Sequence, residues 1–216
     1  MAEDFKSDRE AMVREQIMAR GVSDKRVLEA MRKVPRHEFI TPNFQNLAYN
    51  DYPLPTESGQ TISQPYIVAL MTELLGLTGK EKVLEIGTGV GYQTAILAEL
   101  AGFVYSIERF DALAVLAKKN LDKLNYKNVS IKSSDGTKGW PEFSPYDRII
   151  VTAGAPEIPQ PLAEQLKEGG KMVIPIGEGM LGQDLIVAEK VKGELKVSSA
   201  CRCVFVPLVG EFGWHD

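Results

Sequence analysis

The 216-residue sequence predicts an α/β fold: a doubly wound, mostly parallel sheet with helical additions before it and a β-rich stretch after it. Three observations lead there. Lys82-Val-Leu-Glu-Ile86 runs straight into glycines at 87, 89 and 91 and then into an alanine- and leucine-rich helical pattern. That is the strand–turn–helix form with which α/β folds open a βαβ unit. From there to Gly177 strand-like and helix-like stretches alternate, which builds a parallel sheet with right-handed crossovers. Beyond Gly177 the rhythm changes to two β-rich stretches joined by Lys192-Gly193, a hairpin signal.

Taken in order, Ser7-Asp-Arg-Glu10 has the form of a capping box, and Gly21 is placed to stop the helix it would begin. A second helix is expected from Ser23 toward Val34, with Val27, Leu28 and Met31 on one face and Pro35 ending it. Prolines 35, 42, 53 and 55 make the stretch to Gly59 a loop-rich cover rather than a sheet element, either a packed connection or a lid. Gln60-Thr-Ile-Ser-Gln-Pro65 then leads into a helical pattern from Tyr66 to Leu75. Ser63 fits its N-cap and Pro65 its first turn. After the glycine loop come a helix over Thr94–Ala101, a strand Phe103–Glu108, a helix Asp111–Leu124 and a strand Val129–Ser133. A nearly continuous apolar strand Tyr146–Ala153, a short helix Pro161–Lys167 and a strand Lys171–Ile176 follow. Asp184–Val191 and Leu195–Val206 form the hairpin; Cys201 and Cys203, two apart, share a face and are expected to pack. We expect one domain over 1–216: a helical and loop cover (1–60), a core (61–177) and a β-rich part (178–216).

Composition narrows the function classes. Hydrophobic residues at 44% and charged residues at 25% suit a globular chain that buries a core without staples. A net charge of −4 argues against an unaided nucleic-acid binder. Two cysteines are too few for a disulfide framework, and with only His37 and His215 no metal site is expected. A signal-like start and a long apolar run are both lacking, so a cytoplasmic protein with no membrane partner is expected; a monomer is expected as well.

Three chemical signals fall at the carboxyl ends of successive strands, where open α/β sheets bind ligands. The glycine loop offers close backbone approach and a helix N-terminus. Its spacing, G-x-G-x-G, departs from the dinucleotide fingerprint G-x-G-x-x-G. Glu108 stands 21 residues after Gly87, the usual distance for a carboxylate that takes a ribose hydroxyl. Asp135 could accept from an adenine amino group while Gly136 lies close to the ring. Each has a plain structural reading, as a turn or a solvated strand end. In this order the three together point to an adenosyl ligand.

With those residues assembled, the chain resembles the protein-L-isoaspartate O-methyltransferases over nearly its whole length. The likeness is carried by Gln60-Thr-Ile-Ser63, Leu84-Glu-Ile-Gly-Thr-Gly-Val-Gly-Tyr92, Val104-Tyr-Ser-Ile-Glu-Arg109 and Asp135-Gly136 with Gly139-Trp140. It continues through Tyr146-Asp-Arg-Ile-Ile-Val-Thr-Ala153, Leu166-Lys-Glu-Gly-Gly-Lys-Met-Val-Ile-Pro-Ile-Gly177 and Phe205-Val-Pro-Leu208. The first and the last two stretches are the specific ones. The resemblance implies a Rossmann-like fold of the S-adenosylmethionine (SAM) methyltransferase type, with 61–177 as its SAM-binding core. It implies methyl transfer to the α-carboxylate of L-isoaspartyl residues in damaged proteins, with S-adenosylhomocysteine as product. It makes Ser63 the active-site serine and Thr61 its neighbour. It assigns Gln60, Ile62, Glu85, Gly87, Gly89, Gly91, Glu108, Arg109, Asp135, Gly136 and Thr152 to the cofactor, and Val206, Pro207, Leu208 and Val209 to the substrate. Where the family commonly carries Ala-Pro-His, this chain has Gln64-Pro65-Tyr66.

Val206 to Gly210 suits a backbone grip on a peptide, since Pro207 has no N–H and Gly210 no side chain; the end of a core strand is the equal alternative. Rival readings are an NAD-dependent oxidoreductase, a non-catalytic adaptor, and a methyltransferase acting on another carboxylate or a small-molecule acceptor. The glycine spacing opposes the first, and retention of all three adenosyl features opposes the second.

Overall fold

The computed structural model describes residues 5–56, 59–177 and 182–215. Its centre is a seven-stranded sheet built from β3 (Lys82–Ile86), β4 (Phe103–Glu108), β5 (Val129–Ser133), β6 (Tyr146–Val151), β7 (Leu166–Ile176), β8 (Gln183–Val191) and β9 (Glu194–Cys203). The spatial order is β5-β4-β3-β6-β7-β8-β9. The first five are parallel; β8 and β9 run antiparallel. From β3 the chain winds outward to β4 and β5, then returns to start the other half at β6. The crevice between β3 and β6 is therefore the topological switch point.

Side-chain alternation divides the core into two layers. Val83, Val104, Ile150 and Val173 face one side with the helices α2 (Lys25–Lys33), α3 (Pro65–Leu75), α4 (Tyr92–Leu100) and α5 (Asp111–Lys123). Leu84, Ile86, Ile149, Val151, Met172 and Ile174 face the other side, where Trp140, Leu162 of α6 (Gln160–Gln165) and Leu208 cover them. Arg148 fixes α3 to the sheet: its Nε donates to the carbonyl of Leu75 at 2.6 Å, a cation at a helix C-terminus.

Several local expectations need correction. Ser7 lies inside α1 (Phe5–Ala11), so it is no cap; the helix runs on through wide turns at Met12–Ile17 and a tight turn to Arg20 before Gly21 stops it at φ 98°. The N-cap of α2 is Asp24, which accepts from the Arg26 N–H. The cover region does contain sheet: β1 (Leu54–Pro55) pairs antiparallel with β2 (Thr61–Ile62). Ser63 is not the cap of α3. Gln64 holds that place without a side-chain cap bond, and Pro65 opens the helix as expected. Strand β7 starts five residues early, with an irregular register between Tyr146 and Arg148 that absorbs Gly169-Gly170. Lys192 and Gly193 both take positive φ, 57° and 82°, which is the hairpin turn their sequence implies.

Candidate functional site

Strand β3 delivers its chain into the glycine loop at the switch point. Gly87 and Thr88 both donate to the carbonyl of Ile107, which docks the loop on β4. Gly87 takes φ 97°, and a Cβ there would sit 2.3 Å from Thr152 Oγ1. Gly89, at φ 57°, has nothing within 4 Å of its would-be Cβ, so its backbone faces open space. Glu108 is buried at the end of β4. Its carboxylate accepts from Gly89 N–H at 2.7 Å and Phe110 N–H at 3.0 Å, so it braces the loop and still has lone pairs for another donor.

These groups border a cavity of about 300 Å³, lined by Gln60, Thr61, Ile86, Gly87, Gly89, Ile107, Glu108, Arg109, Phe110, Gly136, Thr152, Ala153 and Val206 to Val209. Gly136 is held against β3: a Cβ would lie 2.4 Å from Ile86 Cγ2. A second cavity of about 480 Å³ adjoins the first and shares Thr61, Gly87, Gly89, Thr152, Val206 and Pro207 with it. Ser63, half-buried, lines this second cavity, and its hydroxyl has no hydrogen-bond partner among the described residues.

Of the residues the sequence assigned to the cofactor, Gln60, Gly87, Gly89, Glu108, Arg109, Gly136 and Thr152 are brought together around the smaller cavity. Four are not. Ile62 lines only the larger one. Gly91 caps α4 at φ 94°, and a Cβ there would lie 3.4 Å from Ala117 and Leu121, so it serves the packing of α4 on α5. Glu85 is fully buried beneath the loop, accepting from Thr94 and Ser106 at 2.6 Å each, with its other oxygen unpartnered. Burial pushes its carboxyl up to about 8 against the Ser106 and Thr94 hydrogen bonds, and nearby Glu108 adds to the rise. Asp135 instead holds the C-terminal segment. It accepts from Thr137 and from the Glu211 N–H at 2.9 Å, and burial, which would raise its carboxyl, is outweighed by those bonds.

Val206 to Val209 are where the sequence places a substrate contact, and all four line the smaller cavity. One edge of this backbone is already paired. Gly154 N–H donates to Val206 O and Leu208 N–H to Gly154 O, both at 2.8 Å, and Trp214 N–H takes Leu208 O. Pro207 lies opposite Gly154 in a parallel bridge, because a residue without an N–H can sit there at no cost in pairing. The sequence reading gave Phe110, Ile107 and Arg20 no role; Ile107 and Phe110 stand close enough to Glu108 to be found by position, Arg20 only by folding. Cys201 and Cys203, expected to pack, do so against the core, and they also form part of the larger cavity's wall.

The smaller cavity fits an adenosyl cofactor on its own features: open space beside Gly89, glycines at 87 and 136 that let its lining close against Thr152 and Ile86, and a buried carboxylate at the end of β4. A parallel sheet with this loop at its switch point and an antiparallel hairpin at one edge places the chain among the SAM-dependent methyltransferases. It belongs, more narrowly, to the protein-L-isoaspartate(D-aspartate) O-methyltransferase family, whose model matches residues 7–213. A protein-L-isoaspartate O-methyltransferase of Syntrophus aciditrophicus (strain SB) is 56% identical over 217 residues, covering 99% of each chain. A solved protein-L-isoaspartate O-methyltransferase superposes with a TM-score of 0.86 at 34% identity, over 95% of this chain and 67% of the other. A Plasmodium falciparum structure of the same designation, in complex with S-adenosyl-L-homocysteine, gives 0.80 at 27% identity over 94% and 97%.

Proposed function

We infer that the protein transfers a methyl group from SAM to the α-carboxylate of L-isoaspartyl residues in damaged proteins and peptides, the first step of their repair. The observation that carries this reading is the shared wall. Thr61, Gly87, Gly89, Thr152, Val206 and Pro207 border both cavities, so a cofactor in one and a peptide carboxylate in the other face each other across one opening. The cofactor supplies a methyl group on a positively charged sulfur. An isoaspartyl α-carboxylate is already ionised near neutral pH, so the chain needs no general base.

What the residues must do is bind and aim. Glu108 takes the ribose hydroxyls with the lone pairs that Gly89 and Phe110 leave open. Gly136 gives the adenine a flat backbone floor. Ser63 donates to one carboxylate oxygen and so orients the other; Thr61 lies between the two cavities and borders both. Ile86, Ile107, Val206 and Leu208 keep water out, which strengthens the attraction between the carboxylate and the positive centre. Alignment of this kind can be worth roughly 7–11 kcal/mol of barrier. In this reading the chain works as a single-domain monomer in the cytoplasm, without membrane or nucleic acid, and its net charge of −4 supports the last point.

The test is methyl transfer from labelled SAM to matched peptides that differ only in an isoaspartyl or aspartyl linkage. Methylation of the isoaspartyl peptide alone is expected. Equal labelling of both, or of neither, would overturn the assignment.

A further inference from the structure

The larger cavity carries charge of one sign. Arg20 and Arg202 are the charged side chains in its wall, and no carboxylate lines it among the described residues. Each is paired with an aspartate. Arg20 Nη1 donates to Asp51 Oδ2 at 2.7 Å and Arg202 Nη1 to Asp184 Oδ2 at 3.4 Å, yet neither aspartate borders the cavity. Arg20 is also held flat, its Cζ 3.4 Å from the centre of the Tyr66 ring, three residues beyond Ser63. Asp51 steadies the same corner by accepting from Tyr66 N–H at 3.3 Å, while Gln64 donates to Asp51 O at 2.8 Å. The guanidinium is thus aimed by two contacts and keeps donors for a further acceptor. Arg202 reaches in from β9, the outer strand of the sheet, with its side chain 69% exposed.

On a chain with net charge −4 the general field repels acidic peptides, so a basic wall beside Ser63 reverses that preference locally. A lysine or arginine brought to the same place would meet two like charges with no carboxylate in the wall to answer it. The apolar neighbours Ile67, Val204 and Phe205 can hold the stem of a flanking side chain while its carboxylate reaches a guanidinium.

We propose that Arg20 and Arg202 determine specificity by reading the residues beside the isoaspartate, favouring substrates in which that damaged residue is flanked by an acidic side chain. The proposal rests on the methyl-transfer reading above and adds selectivity to it. The two arginines are not catalytic residues, because they act on the flanking side chains rather than on the reacting carboxylate.

The experiment compares kcat/KM for isoaspartyl peptides that carry Glu, Gln or Lys at the adjoining positions, with the full-length protein. At low ionic strength the Glu peptide is expected to exceed the Lys peptide about fivefold, with Gln between them, and the ratio should approach one at high salt. Arg202→Gln, at an exposed site on the sheet edge, should reduce the ratio, chiefly by lowering kcat/KM for the Glu peptide. Arg20→Gln should reduce it as well; should that variant fail to fold through loss of its Asp51 and Tyr66 contacts, the wild-type ratio and Arg202→Gln still decide. Equal or reversed kcat/KM for the Glu and Lys peptides in the wild-type protein overturns the proposal while leaving methyl transfer intact. Failure to methylate the Gln peptide at all overturns the functional reading beneath it.

Discussion

Ser63 occupies a position with two possible duties, and the fold separates them. Because Gln64 is the N-cap of α3, Ser63→Ala removes no capping bond. Its melting temperature should therefore stay near wild type, whereas loss of a true cap costs about 0.5–2 kcal/mol. Single-turnover methylation should fall while S-adenosylhomocysteine affinity holds; a normal rate would remove Ser63 from the site. Glu108 has the opposite profile. Its replacement by alanine removes a charge-assisted acceptor and the brace on Gly89, so calorimetric affinity for S-adenosylhomocysteine should drop roughly tenfold to a hundredfold. Glu85 is buried beneath the glycine loop and lines neither cavity. Its folded value of about 8 lies above the ordinary 4.5, so the folded state keeps a proton that the unfolded chain releases. The stability it contributes is complete below the ordinary value and is lost as pH rises toward the folded one. Glu85→Gln, neutral at every pH, should therefore gain melting temperature over wild type progressively from about pH 5 to about pH 8, then level off. A difference that stays flat across that range would mean the carboxyl is ionised in the fold.

At the scale of elements, the glycine loop shows how one spacing serves two jobs. Gly87 and Gly89 belong to the cavity, while Gly91 belongs to the contact between α4 and α5. Gly87→Ala would place a Cβ against Thr152 Oγ1 in a left-handed conformation, at a cost of about 1–3 kcal/mol, and it should lose cofactor binding as well as stability. The places of Glu108, at the end of β4, and Gly136, three residues past β5, were legible because short apolar runs there end in turn residues. The roles of Glu85, Gly91 and Asp135 were not. A buried carboxylate one residue before Ile86 reads like a ligand until the pleat turns it to the side of Thr94 and Ser106. Asp135 reads like an adenine acceptor, and the sequence gives no sign that residue 211, from the far end of the chain, also donates to it. Likewise Ser63 and Pro65 both look like helix-start signals, and only the backbone at Gln64 shows that the helix begins one step later.

Across the whole molecule, the walls of the smaller cavity come from six separated stretches, from Gln60 to Val209. The last of them is pinned by Gly154, Asp135 and the Trp214 indole, which donates to Gly154 O at 2.9 Å. Removing residues 208–216 should thus cost cofactor affinity and melting temperature as well as peptide binding. Unchanged S-adenosylhomocysteine affinity in a folded truncated protein would show that the segment covers the cavity without shaping it. A cavity whose wall is gathered from such distant parts of the chain has no local way to open completely. Bound S-adenosylhomocysteine should then act as a clamp on the entire fold, slowing amide exchange in β3, β4, β6 and the C-terminal segment together. At a hundredfold excess over Kd that clamp amounts to about 2.7 kcal/mol against global unfolding.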